Sequence, residues 1–128
     1  MPLVRIDLAQ GHPAGNERRD IGEVIHEAMR ATLDVPDGDR FQIMTAHPDA
    51  DLVIDSNYLG VARSKHCIFI QVTLNAGRSV EQKRAFHRAV ADGLNARLRV
   101  RREDVFINLV EVKREDWSFG NGEAQYVT

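Results

Sequence analysis

Pro2 directly follows the initiator methionine, and a proline there permits removal of Met1, which leaves a secondary amine at the chain end. An α-amino group titrates at roughly pH 8, and burial among apolar residues lowers that value by disfavouring the charged form. Such an amine can act as a general base near neutral pH, or as a general acid where carboxylates raise its pKa again. Being secondary, it can also condense with a carbonyl to an iminium, an electron sink for decarboxylation. The bland alternative is a chance Met-Pro start, since proline makes up about 5% of residues. Arg78 precedes Ser79, where a helix begins. A cation at that positive end opposes the helix dipole by about 0.3–1 kcal/mol unless an anion such as a substrate carboxylate shares the place. The alternative is a solvated, screened arginine. Asp39 follows the Asp37-Gly38 turn and opens a strand, where it can polarise water, hold the Pro2 amine, or cap its own loop. Trp117, Phe119 and Tyr126 gather aromatic surface near the C-terminus, as a pocket wall or as interface packing.

Other chemistries lack their residues. The histidines, His12, His26, His47, His66 and His87, form no HxH or HxxxH pair with a third ligand, so no metal site is expected. Glycine-rich phosphate loops and a GxSxG elbow are missing. The lone Cys67 excludes an intrachain disulfide and fits a reducing compartment. With 128 residues, 43% of them hydrophobic, the chain suits one domain over 1–128 and has no apolar run fit for a membrane. A net charge of −2 argues against nucleic acid as a partner. The start has no basic leader with an apolar run behind it, so the cytoplasm is the expected location.

The positioning elements follow from periodicity. Pro2 to Leu8 alternates as a first strand. Ile21, Val24, Ile25, Ala28, Met29 and Leu33 make the apolar stripe of a helix, with Asn16 as its N-cap, that ends before Val35-Pro36. Arg40 to Met44 reads as a second strand. The segment from His47 to Lys65 reads as a connector with one short strand near Leu52 to Ile54. His66 to Leu74 is β-branched and apolar, as in a central strand buried on both faces. Ser79-Val80-Glu81-Gln82 fits a capping box ahead of a helix whose stripe is Phe86, Val90, Leu94 and Leu98, with Ala89 and Gly93 small enough to pack closely on a sheet. Asp104 to Val112 alternates as a further strand, and Asn121-Gly122 predicts a type I′ turn in a C-terminal β-hairpin over 116–127.

The strand-helix-strand order occurs twice. The 65-residue offset that carries Asp39 onto Asp104 also pairs Arg19 with Arg84, Ala31 with Ala96, Leu33 with Leu98, Val35 with Val100 and Phe41 with Phe106. The acid's recurrence suggests a structural role shared by both copies. The same offset sets Pro2 opposite Cys67, so the chain start is expected inside the sheet. The fold class is therefore α+β, an α/β two-layer arrangement. A tandem β-α-β repeat over approximately 2–46 and 66–112 forms a four-stranded sheet with two helices on one face, plus the hairpin. The other sheet face is left bare, which predicts oligomerisation through it.

Taken together, Met1-Pro2-Leu3, the segment from Val35 to Gln42, Arg78-Ser79-Val80-Glu81-Gln82-Lys83 and Asp116-Trp117-Ser118-Phe119-Gly120 resemble the tautomerase superfamily, in particular its malonate semialdehyde decarboxylase branch. The likeness covers nearly the whole chain. It implies a homotrimer of fused β-α-β units, with the N-terminal proline as catalytic acid or base and neither metal nor organic cofactor. It makes Pro2 the catalytic group, Asp39 the aspartate that assists proline or activates water, Arg78 the second of two substrate-binding arginines, and Trp117 and Phe119 the hydrophobic wall. One position departs. Ala76 stands where the decarboxylase has its first arginine, which removes a charge-assisted clamp on a carboxylate and leaves Arg40 or Arg63 as replacements. The expected function is keto-enol proton transfer on a small oxo acid. The alternatives are decarboxylation of malonate semialdehyde or hydration with Asp39 activating water, and a ligand-binding or interaction module without catalysis.

Overall fold

The computed structural model describes residues 2–127, so the expected removal of Met1 falls outside the described residues. Four strands and two helices carry the chain. They are β1 (Leu3–Ala9), α1 (Arg18–Thr32), β2 (Phe41–His47), β3 (Ile68–Asn75), α2 (Val80–Leu98) and β4 (Val105–Val112). The sheet order is β2-β1-β3-β4. Each β-α-β unit pairs its own strands in parallel, and the two units meet antiparallel along β1 and β3. The 65-residue offset acts as a local two-fold, because it carries the Val4–Val72 pair onto the Asp7–Phe69 pair.

The strands alternate as half-buried strands should. Val4, Ile6 and Leu8 of β1 and Ile68, Ile70, Val72 and Leu74 of β3 point into one core with Ile21, Ile25 and Met29 of α1 and Phe86, Val90 and Leu94 of α2. Both helices thus cover one sheet face. The opposite face carries exposed Phe41, Ile43, Phe106 and Val110. β3 is therefore not buried on both faces within one chain. Its outward residues Phe69 and Thr73 are half-buried and Gln71 is exposed, because no second layer lies on that side.

Both helices end in the same way. Asp34 and Arg99, equivalent under the offset, take left-handed φ of 55° and 58°. The N–H groups of Val35 and Val100 then reach back to the carbonyls of Met29 and Leu94. The starts differ. Ser79 accepts from the Gln82 N–H at 3.1 Å and Gln82 Oε1 accepts from the Ser79 N–H at 2.9 Å, the expected capping box. For α1 the N-cap is Glu17, with no side-chain bond, rather than Asn16. Gly93 serves helix-helix packing rather than the sheet, since a Cβ there would stand 2.7 Å from Val24 Cγ1 of α1.

Among the described residues, one expected strand and one expected hairpin are missing. Residues 52–54 lie between two short 3-10 turns, Asp49–Asp51 and Tyr58–Gly60, with Val53 almost fully exposed, and they pair with none of the four strands. At the C-terminus the Asn121-Gly122 turn forms, both residues having positive φ, but its flanks are not strands. A side-chain amide closes the loop instead: the Phe119 N–H donates to Gln125 Oε1 at 2.9 Å and Gln125 Nε2 donates to the Gly120 carbonyl at 2.8 Å. No helix among the described residues is long and apolar enough to cross a membrane.

Candidate active site

Pro2 is buried just ahead of β1, and its offset partner Cys67 is fully buried just ahead of β3. Each thus precedes its strand rather than lying inside it. Pro2 lines a cavity of about 260 Å³ with Leu3, Phe41, Trp117, Ser118 and Phe119. The aromatic wall is built by contact. Trp117 stacks on Phe119 with ring centres 5.4 Å apart and planes 11° apart, Phe41 lies 6.2 Å from Phe119, and Tyr126 meets Phe119 edge-on at 5.2 Å.

Asp39 is buried in the loop between α1 and β2, where its N–H donates to the Pro36 carbonyl at 3.1 Å. Burial raises its carboxyl above the usual aspartate range, against nearby positive charge that includes His26 and Arg78. Tyr126 is raised as well, first by burial and then by the negative charge of Asp39, while Arg114 and Arg78 oppose the shift. Asp39, Arg78 and Tyr126 therefore share one electrostatic neighbourhood.

Arg78 is more engaged than a free ligand clamp. Its Nε and Nη2 donate to the Leu33 carbonyl and its Nη1 donates to the Asn75 carbonyl at 3.2 Å. The same Asn75 accepts from Trp117 Nε1 at 2.7 Å through Oδ1. One residue thus ties the aromatic wall to the cation. Arg78 opens onto a groove lined by Leu33, Asp34, Ala76, Gly77 and Gln82, adjoining the site rather than lining the Pro2 cavity itself.

The family model described as "Tautomerase_2: Tautomerase enzyme" matches residues 39–120, and that described as "Tautomerase: Tautomerase enzyme" matches residues 2–62. The chain belongs to the tautomerase family. A probable tautomerase of Bacillus subtilis (strain 168), YusQ, is 39% identical over 99% of both chains. Among solved structures, the FG41 malonate semialdehyde decarboxylase inhibited by 3-bromopropiolate is 41% identical, with a TM-score of 0.88 over 98% of this chain and 94% of that one. A fused 4-OT wild-type symmetric trimer is 25% identical, with a TM-score of 0.74 over 94% of each chain.

Within this tautomerase fold, neither arginine considered as a replacement at Ala76 stands at the Pro2 cavity. Arg40 pairs with Glu23 at 2.7 Å. Arg63 donates to carbonyls of its own loop, Tyr58 among them at 3.1 Å, and faces a separate cavity of about 310 Å³ on the bare sheet face. The two repeated aspartates also part company. Asp104 accepts the Ser64 N–H and the Ser64 hydroxyl, each at 2.7 Å, and holds a loop. Asp39 stands instead in the electrostatic group of Arg78 and Tyr126. Asn75 and His26 were not singled out by residue type and spacing. The only sequence signal for His26 is a titratable residue on the apolar stripe of α1.

Proposed function

We propose that this chain is a tautomerase in which the amine of Pro2, freed by removal of Met1, moves a proton between carbon and oxygen of a small oxo acid. The observation that carries this reading is the cavity on which Pro2, Phe41, Trp117 and Phe119 meet, with buried Asp39 in the adjoining loop. In ketonisation the amine takes the proton of the enol hydroxyl and a proton is returned to the neighbouring carbon, so the substrate is isomerised with no net change of atoms or electrons. Asp39 favours the protonated amine when ionised. The Arg78 donors left over from Leu33 and Asn75 hold the substrate carboxylate and stabilise enolate charge. Because the chain's own amine carries the proton, the step calls for no metal or organic cofactor. The bare sheet face, with Phe41, Ile43, Phe106 and Val110 outward, supports assembly as a homotrimer, and so does the likeness to a fused 4-OT described as a symmetric trimer.

The test is the ketonisation rate of an enol such as phenylenolpyruvate with the protein and its Pro2→Ala variant, after mass spectrometry confirms loss of Met1. Loss of most of the rate in the variant is expected. Equal rates, or an intact Met1, would overturn the reading.

A second reading has support in the 41% identity to malonate semialdehyde decarboxylase: decarboxylation, or hydration with Asp39 activating water. The uncharged Ala76 beside Arg78 weakens it, because a leaving carboxylate must be oriented as well as bound. Carbon dioxide release from malonate semialdehyde separates the two.

A further inference from the structure

His26 sits on the inner side of α1, 2% exposed, among Ile25, Ala28 and Met29. Its Nε2 donates to the backbone carbonyl of Asp37 at 2.9 Å, whereas its Nδ1 is buried with no hydrogen-bond partner among the described residues. An unsatisfied buried nitrogen is a poor choice for stability, since an aliphatic side chain of similar size would avoid its cost. What the imidazole does secure is the loop that carries Asp39. Pro36 restricts the backbone at one end of that loop, the Asp39 N–H to Pro36 carbonyl bond closes it, and His26 anchors the carbonyl between them.

We propose that His26 is a positioning residue for Asp39: by holding the Asp37 carbonyl from the core side, it sets where the Asp39 carboxylate stands. This rests on the reading of Asp39 as part of the proline site. The charged groups around the imidazole are the Asp37 carboxylate at 3.6 Å, itself 3.5 Å from Arg30, together with Asp39 and, on its own helix, Glu23. His26 also pulls the Asp39 pKa downward against burial, as expected of a close neighbour.

Two variants separate the anchor from simple packing. His26→Gln keeps an Nε2–H donor of similar reach, and His26→Leu keeps bulk without a donor. With His26→Leu, kcat is expected to fall about tenfold with KM nearly unchanged, and His26→Gln to recover most of that loss. Carboxyl-carbon NMR of Asp39, recorded without substrate, should show its titration midpoint displaced in His26→Leu. If His26→Leu does not fold, His26→Asn, whose amide falls short of the Asp37 carbonyl, replaces it. Full kcat in the donor-less variant, equal losses in both variants, or an unmoved Asp39 midpoint would overturn the inference. Because the NMR readout needs no turnover, it judges His26 even where Pro2→Ala overturns the proline mechanism. An active, proline-dependent enzyme with an unmoved Asp39 would overturn the His26 inference alone.

Discussion

Two donors of Arg78, Nη2 at 2.9 Å and Nε at 3.2 Å, converge on the carbonyl oxygen of Leu33. Leu33 is the C-cap of α1, so the guanidinium stands at the negative end of one helix as well as ahead of the positive end of another. The mismatch expected from its place before Ser79 is thereby offset within the chain. Arg78→Ala should therefore do two things: raise KM for an acidic substrate and lower Tm, the latter because a buried carbonyl loses its donors at a cost of about 1–3 kcal/mol. Arg78→Lys keeps the charge without the planar fork and should restore only part of either property. Thermal melts beside Michaelis curves check this, and an unchanged Tm in Arg78→Ala would remove the helix-end role.

Asp39→Asn should stabilise the protein near neutral pH while slowing turnover. Burial raises the folded pKa of Asp39 above the ordinary 3.8, so the folded chain holds this proton more tightly than the unfolded chain does. Stability consequently falls as pH rises from the ordinary aspartate value through the raised folded one, and asparagine is spared that fall. The variant's advantage in Tm should appear near pH 7 and vanish near about pH 3, where both states of the parent are protonated. An advantage of equal size at both values would contradict the burial cause.

Trp117→Phe should keep the ring stacked on Phe119 but lose the bond from Nε1 to Asn75 Oδ1. A neutral hydrogen bond of this kind contributes about 1 kcal/mol net to the stability of the fold, so Tm should fall by a few degrees, while the loosened wall raises KM and leaves kcat little changed. Steady-state kinetics on the ketonisation reaction decides, and a loss confined to kcat would mean that the indole N–H acts on the chemical step rather than on the wall.

Ser64→Ala strips the buried Asp104 carboxylate of a hydroxyl donor while leaving the backbone N–H bond. A destabilisation of about 1–3 kcal/mol is expected, with kcat and KM unaltered in the folded fraction. Denaturant melts and kinetics together test this division of labour between Asp104 and Asp39. A selective loss of kcat would show that the two halves are functionally coupled.

Periodicity makes the sheet and helices legible because the core residues Val4, Ile6 and Leu8 of β1 and Ile68, Ile70, Val72 and Leu74 of β3 alternate in the sequence, and because the 65-residue offset aligns Leu3–Ala9 with the start of β3. It misread the segments where side chains replace backbone ladders. Gln125 closes the C-terminal loop by its amide, which no alternation reveals, and residues 52–54 look strand-like although they do not join the sheet. At the site, Pro2 and Asp39 could be picked out by residue type and repeat position. Asn75 could not, since its role depends on meeting Trp117 from 42 positions away. His26 was hidden for the opposite reason: it occupies a helical core position, where a histidine ordinarily reads as packing.

The local two-fold between the halves bears on chemical labelling. The position equivalent to Pro2 is Cys67, whose thiol is fully buried and pushed up to about 11 by burial. Thiol-directed alkylating reagents should therefore pass it by at neutral pH, since the thiolate is the reactive form. An electrophile that captures the proline amine should saturate at one adduct per chain, at a single end of a pseudo-symmetric sheet, and intact-mass analysis would count it without interference from sulfur.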